Sequence, residues 1–345
     1  MLTVGVIGAT GYAGSQLVAL LAQHPEVSLE YLASHSYHGQ RFGEIYPSLI
    51  DVCNLELQEE DVEEAAKACD VLFLALPHGM ASSKVSQSIL DQSVIIDLGA
   101  DYRLSDVQTY SSWYQTEHPS SHLLEQSVYG LCELHREAIE GAALIANPGC
   151  YPTSATLTIA PLLAANLIDP STLIIDSASG TSGAGRSAKI GSLFCEVNEN
   201  YKAYGVTDHR HTPEIEQELS AILGSPLVVQ FTPHLVPMNR GILSTCYAKL
   251  LEGVGEKEIA EAYHDYYRDE PFIRLMDSHL PETRFVSGTN VCAIGWRVDE
   301  RTGRVIALGA IDNLIKGASG QAVQNMNIRF GFEETMGLPV AVATP

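Results

Sequence analysis

The chain opens with a short apolar run rich in β-branched residues, Leu2 to Ile7, followed at once by Gly8-Ala-Thr-Gly-Tyr-Ala-Gly14. Behind the glycines, Leu17, Val18 and Leu21 recur at helical spacing. Strand, glycine turn and helix in that order predict the first βαβ unit of a parallel sheet. Further runs at Ser28 to Ala33, Asp70 to Leu76, Val94 to Leu98 and Leu144 to Asn147 are nearly continuous in apolar residues. That is the pattern of strands buried on both faces. Residues 105 to 143 are polar and irregular, with short helical pieces. A strand from Ser171 to Ser179 follows. From Leu227 the pattern changes to longer strands joined by tight turns: Leu227 to Phe231, Ile242 to Leu251, Val291 to Val298 and Arg304 to Ile311. The last two are linked like a hairpin through Asp299–Gly303, which predicts a second domain built on an antiparallel sheet. Helices are expected over Glu256 to Arg268 and Leu314 to Phe330, the second returning to the first domain.

Composition narrows the function classes. With 42 acidic against 20 basic residues the formal net charge is -22, which speaks against a nucleic-acid surface. If the substrate is anionic, the few cations must be concentrated in a cleft. The seven cysteines (Cys53, Cys69, Cys132, Cys150, Cys195, Cys246, Cys292) are odd in number and lack CxxC spacing. They suggest neither a disulfide framework nor a zinc ribbon, and fit a reducing cytoplasm. No run reaches the ~18 apolar residues of a membrane span. A cytoplasmic protein without membrane association is expected.

The stretch Ile145-Ala-Asn-Pro-Gly-Cys-Tyr-Pro-Thr153 carries the first candidate chemistry. Pro148 and Gly149 make a corner, and Pro152 suits the first turn of a helix. Cys150 then sits at a helix N-terminus, where the dipole and unpaired N–H groups favour the nucleophilic thiolate. The GxxGxxG turn is a variant dinucleotide fingerprint, with the helix start receiving a pyrophosphate. No acid follows the second strand, so Ser34 and Ser36 are expected to meet a 2′-phosphate, making NADP the cofactor. Pro77-His78-Gly79 and Arg103 fall at the carboxyl edge of the parallel sheet, where ligands gather. The loop from Ser179 to Gly191 has four glycines, Arg186, Lys189 and no acid, and reads as a mobile anion-binding loop. In His209-Arg-His-Thr-Pro-Glu-Ile215, Thr212 is expected as an N-cap. His211 then lies beside a helix start that keeps its imidazole neutral. His209 and His211 lack a third ligand at recognisable spacing, so no metal is expected.

Together with Ser182-Gly-Ala-Gly-Arg-Ser187 and Lys316-Gly-Ala-Ser-Gly-Gln-Ala-Val-Gln-Asn-Met-Asn327, these motifs resemble the N-acetyl-γ-glutamyl-phosphate reductase family. That family is related to aspartate-semialdehyde dehydrogenase, and the resemblance spans nearly the whole chain. It implies an α/β Rossmann-type dinucleotide-binding domain (1–148 with 314–345). It also implies an α+β catalytic and oligomerisation domain with a mainly antiparallel sheet (149–313). The implied reaction is NADPH-dependent reduction of an acyl phosphate through a thioester on Cys150, in arginine biosynthesis, by a homodimer or homotetramer. His211 would manage the proton, with His209 in support. Substrate contacts are expected at Arg103, Asn147, Glu214, Arg186 and Lys189. Cofactor contacts are expected at Gly8, Thr10, Gly11, Tyr12, Ala13, Gly14, Ser34, Ser36, Pro77, His78, Ser179, Gly180, Gly183 and Asn313. A paralogue acting on aspartyl or aminoadipyl phosphate, or a catalytically silent NADP sensor, are the competing readings. The intact set of Cys150, His211 and Arg103 speaks against a sensor.

Overall fold

The computed structural model describes residues 1–343. The chain divides into two compact units, Met1–Pro148 with Ala318–Leu338, and Gly149–Gly317 with the described residues 339–343.

The first unit is built on six strands: β1 (Leu2–Ile7), β2 (Val27–Ala33), β3 (Val71–Leu74), β4 (Val94–Asp97), β5 (Ser127–Tyr129) and β6 (Leu144–Ala146). Their order is β2-β1-β3-β4-β6-β5, and every neighbouring pair is parallel. β3, β4 and β6 are buried at every position, as their unbroken apolar runs require when both faces are covered. Strand β5 lies in the stretch that sequence pattern left irregular. Its three residues are too few to show a period.

The helix Gly320–Arg329 packs against the helices Tyr12–Leu21 and Cys132–Glu140. Gln321, Gln324, Asn325 and Asn327 on it are all fully buried. They are tolerated because each finds a polar partner: Gln324 donates to the Glu334 carboxylate, Asn327 to the Glu334 and Met336 carbonyls, and the other two to a backbone group that the sheet leaves over. Gln321 Nε2 and Asn325 Nδ2 donate to the Gly130 carbonyl at 2.9 and 2.8 Å. A side chain at Gly130 would strike Asn325, its Cβ falling 2.5 Å from Nδ2.

The second unit holds seven strands: β7 (Ile168–Ser179), β8 (Lys202–Ala203), β9 (Gln230–Leu235), β10 (Ile242–Leu250), β11 (Ile273–Leu275), β12 (Cys292–Asp299) and β13 (Arg304–Ile311). The order is β11-β12-β13-β10-β7-β9-β8. This sheet is mixed, which corrects the antiparallel expectation: β7–β9 and β11–β12 run parallel, and the other neighbouring pairs antiparallel. Parallel neighbours need a long crossover, and between β7 and β9 the helix Thr212–Leu223 lies on that path. β9 also starts three residues later than the pattern suggested, at Gln230, because Ser220 Oγ holds Leu227 N–H (2.8 Å) in the preceding loop.

The helix Cys150–Ala164 lies along β10 and β13 and is buried without a break from Tyr151 to Leu163. It sits so close that a Cβ on Gly309 would fall 1.9 Å from Thr158 Oγ1. The opposite face, with Ile174, Tyr247, Thr245, Ile306 and Leu308 in register across three strands, is part-exposed and largely apolar.

The return into the first unit falls at Ala318 rather than at residue 314. Residues 312–317 belong to the second unit, where Asn313 Oδ1 accepts Gly241 N–H at 2.7 Å. The expected helix from Leu314 is accordingly split into a π-helical turn, Ile315–Ser319, and the α-helix Gly320–Arg329. Among the described residues no helix is long and apolar enough to cross a membrane.

Candidate active site

In the second unit, Gly149 takes an extended conformation (φ -68°, ψ 152°) and the helix begins at Cys150. Thr153 fastens this corner twice, its N–H and its Oγ1 both reaching the Gly149 carbonyl at 2.9 Å. Gly149 N–H donates to Glu214 Oε1 at 2.7 Å, and Glu214 is only 1% exposed. The carboxylate thus grips the backbone immediately before the cysteine. Cys150 itself is partly exposed, whereas Cys53, Cys69, Cys132, Cys246 and Cys292 are buried. Burial pushes the Cys69 thiol up to about 12 and also raises that of Cys246. Such thiols are inert packing groups, which leaves Cys150 and the exposed Cys195 as accessible sulfurs.

The two histidines gather beside this helix start. His211 occupies the N-cap position of Thr212–Leu223, so Thr212 is the first helical residue and not the cap expected from sequence. His209 Nδ1 accepts His211 N–H at 3.2 Å. The two rings lie 4.9 Å apart by centroid, and each stands against Tyr151, at 5.5 Å for His209 and 5.8 Å for His211. Tyr204 and Phe231 close around His209 at 5.3 and 5.6 Å. Burial is the main reason that His209 is pushed down to about 4; the Arg210 charge adds to this and Asp208 opposes it. His209 is therefore a neutral imidazole near pH 7. Tyr204 OH donates to Tyr151 OH (3.0 Å), which in turn donates to the His234 carbonyl (3.1 Å).

Also in this unit, Ser179 and Asn313 are each 2% exposed. Asn313 Nδ2 donates to Ser182 Oγ at 3.0 Å. At Gly180 a Cβ would fall 2.7 Å from the Asn239 carbonyl, so only glycine permits that approach, and a Cβ on Gly183 would press on Ser179 Oγ at 3.3 Å. Arg186 and Lys189 stand exposed in the loop beyond.

In the first unit, Arg103 is buried and its Nε and Nη2 reach the carbonyls of Asn147 and Leu98, both at 2.8 Å. Asn147, 1% exposed, gives Nδ2 to the Ala318 carbonyl (3.0 Å) and takes Asn325 Nδ2 on Oδ1 (3.1 Å). Both residues pin the ends of β4 and β6, the second of which leads into the nucleophile's corner. Asp101 accepts Gly79 N–H and Ser82 N–H, and Asp106 caps the helix Val107–Tyr114.

The glycine turn has the form of a phosphate cradle. Gly8 has φ +79°, and a Cβ there would meet the Ala75 carbonyl at 2.4 Å. A Cβ on Gly14 would fall 2.2 Å from the Gly8 carbonyl, which ties helix to strand. Gly11 is the N-cap of Tyr12–Leu21, no side chain caps it, and the first turn through Tyr12, Ala13 and Gly14 bears no acid. This is a helix start open to an anion.

Ser34 does not offer itself to a phosphate. It is 2% exposed, and its hydroxyl shares a 2.7 Å hydrogen bond with Thr10. Ser36, Pro77 and His78 are exposed. Beside the end of β2 lies a cavity of about 710 Å³ lined by His35, His38, Lys84, Met80, Ser83 and Val62 and by the acids Glu59, Glu60, Asp61 and Glu63. Glu60 Oε1 accepts His35 N–H at 3.2 Å. Sequence reading found no acid at this strand end, yet the structure delivers one from a distant segment that bridges Gln58 to Ala33. The only local signal was the acidic run Glu59-Glu60-Asp61 before a helix start. Among the described residues no cluster of His, Cys, Asp or Glu suits a metal ion.

Comparison with known proteins gives a consistent picture. A family model described as semialdehyde dehydrogenase, NAD binding domain, matches residues 3–142, and one described as semialdehyde dehydrogenase, dimerisation domain, matches residues 150–313. The chain is 55% identical over 336 residues to N-acetyl-gamma-glutamyl-phosphate reductase of Pelotomaculum thermopropionicum, covering 97% of each. To the protein of the same name from Moorella thermoacetica it is 51% identical, covering 100% of each. Among solved structures, aspartate semialdehyde dehydrogenase II from Vibrio cholerae, complexed with ASA, superposes with a TM-score of 0.73 at 17% identity, over 96% of this chain and 98% of that one. Aspartate semialdehyde dehydrogenase with NADP from Candida albicans gives 0.68 at 17%, over 95% and 98%. At such identity the two structures speak for the fold alone.

Proposed function

Because the chain belongs to the N-acetyl-γ-glutamyl-phosphate reductase family, we infer that it reduces N-acetyl-γ-glutamyl phosphate to the semialdehyde and phosphate, with NADPH as reductant, in arginine biosynthesis. The observation that carries this reading is the partly exposed Cys150 at a helix start, with its corner gripped by Glu214 and the His211 ring set against the adjoining Tyr151.

Cys150 Sγ attacks the acyl carbon, the C–O bond to phosphate breaks, and a thioester remains on the cysteine. NADPH, when bound, supplies the hydride that takes the thioester carbon to the aldehyde level. The thiohemiacetal then collapses, releasing the semialdehyde and returning the electron pair to sulfur. His211 takes the thiol proton before attack and steadies the oxyanion during collapse. His209 supports it: its Nδ1 holds the His211 backbone, and with a value near 4 it is a poor proton donor at neutral pH. Glu214 serves the substrate by fixing the nucleophile's corner. Arg186 and Lys189 meet the leaving phosphate, while Arg103 and Asn147 set the strand ends through which the substrate's carboxylate and amide are recognised.

For the cofactor, the Gly8–Gly14 turn fits a pyrophosphate. In place of Ser34, His35, His38 and Lys84 are the cavity-lining groups that would meet a 2′-phosphate, against the opposing charge of Glu59, Glu60, Asp61 and Glu63 in the same lining. The part-exposed apolar face of the second sheet fits a second copy of the chain, in keeping with the description of that domain's family.

The test is phosphate-releasing oxidation of NADPH by purified protein supplied with N-acetyl-γ-glutamyl phosphate. Cys150→Ser should keep fold and NADPH binding and lose turnover, and iodoacetamide should inactivate with label on Cys150. Near-normal activity in Cys150→Ala would end the thioester mechanism, and a preference for aspartyl phosphate would move the substrate assignment.

A further inference from the structure

One motif has no part in the mechanism so far, Lys316-Gly317, on the π-helical turn Ile315–Ser319. Its defining bond is Gly317 N–H to the Asp312 carbonyl at 3.0 Å, a five-residue step. π-Turns are less favourable than α-helix and occur mostly where a local geometry is needed. Here the geometry concerns the nucleophile. A Cβ on Gly317 would stand 2.8 Å from Cys150 Cβ, 3.3 Å from Cys150 Cα and 3.2 Å from Ile311 Cδ1. Real Cβ atoms do not approach as closely as 2.8 Å, and neither Cys150 atom can swing away because they belong to the base of the side chain and the backbone.

The turn is held in place from behind. Asp312 is fully buried, its Oδ1 accepts Leu314 N–H (2.8 Å) and Ile315 N–H (3.1 Å), and its Oδ2 accepts Gly288 N–H (2.7 Å) and faces Arg240 at 3.5 Å. Four donors on one carboxylate fix the start of the turn, and the five-residue step brings Gly317 onto Cys150.

We propose that Gly317 is a positioning residue: it forms a rigid wall, anchored by Asp312, that restricts the Cys150 side chain to the rotamer aimed at the acyl carbon. The proposal rests on the nucleophilic role of Cys150 and concerns the direction of the thiol, not its presence. A misplacement of about 1 Å at a reacting atom is enough to lower turnover roughly a hundredfold.

Gly317→Ala is the direct test. Expected are a fall in kcat of roughly ten- to a hundredfold, KM for acyl phosphate and NADPH within about twofold, and iodoacetamide alkylation of Cys150 within about threefold. The small reagent makes little demand on direction, so a split between alkylation and turnover is the signature of a misaimed thiol. A crystal structure of the variant should show Cys150 in a different χ1 well. Adding Ile311→Val, which opens space at Ile311 but leaves the contact with Cys150 unchanged, should restore neither kcat nor the native Cys150 rotamer.

The proposal is overturned if kcat recovers in that double variant, if kcat is unchanged in Gly317→Ala, or if the Cys150 rotamer is the same. Should Gly317→Ala fail to fold, Asp312→Asn loosens the same turn from its anchor and should show the same split; full kcat in that variant overturns the proposal. The rotamer and alkylation measurements need no substrate, so they decide on Gly317 even if the acyl-phosphate reading fails.

Discussion

His209 and His211 show how two residues of one type, two positions apart, are separated by surroundings. His209 is enclosed by Tyr151, Tyr204 and Phe231, and its folded value near 4 lies below the ordinary 6.5 of an imidazole. The unfolded chain therefore takes up that proton first as pH falls. Stability linked to His209 is complete above about pH 6.5 and is lost between 6.5 and 4, by at most about 3 kcal/mol. His209→Asn should flatten the dependence of Tm on pH in that window, as scanning calorimetry from pH 4 to 8 would show; an unchanged slope would refute the assignment. His211→Asn should instead lower kcat by roughly two to four orders of magnitude and flatten the pH–rate profile near neutrality. If His209→Asn has the larger effect on kcat, the proton belongs to His209.

At the scale of elements, the carboxyl edge of the parallel sheet concentrates buried polar groups. Asp97 ends β4, is fully buried, and accepts Gly99 N–H at 2.8 Å. Burial first, and the neighbouring Asp101 second, push its carboxyl up to about 7. A raised folded value favours the protonated form, so its stabilising effect is present at low pH and is lost as pH rises through about 7. Asp97→Asn keeps an acceptor for Gly99 and removes the titration. The Tm advantage of the variant over the native protein should grow from about pH 4 to about 7 and level off at several degrees by pH 8; a deficit at pH 8 would show that the ionised form is preferred.

Elements of this kind were legible wherever one local pattern determines them. β1, β3, β4, β10, β12 and β13 fall within a residue or two of their apolar runs, and the cysteine's helix begins where Pro148 and Gly149 predict. β5 and β8 were too short to register, and the parallel pairing of β7 with β9 depends on chain path, which no window of sequence contains. The same limit hid the site's non-local parts. That Ser34 turns inward to Thr10, and that Glu60 comes to the end of β2, are contacts across 24 and 25 residues of separation.

At the scale of the whole molecule, the chain passes between its units three times, after Pro148, after Gly317 and after Leu338. The first unit is incomplete without the helix Gly320–Arg329, whose Gln321 and Asn325 satisfy Gly130 and whose Asn325 reaches Asn147. A chain ending at Gly317 leaves those buried acceptors without donors, at about 1–3 kcal/mol each, and bares the apolar residues the helix covers. It should lose NADPH binding and cooperative melting of that unit. Retention of native cofactor affinity by the truncated chain would contradict the account.

The same threading sets a timetable on the ribosome. Residues 1–148 emerge first but lack their closing helix until residues 149–317 have also been translated. At about 5–20 residues per second this is a wait of roughly 10–35 s. During that interval the nascent parallel sheet carries an uncovered apolar face, a target for chaperones that hold such surfaces. The cysteine-bearing half is written almost whole from Gly149 to Gly317 and waits only for the short stretch that begins at Pro339.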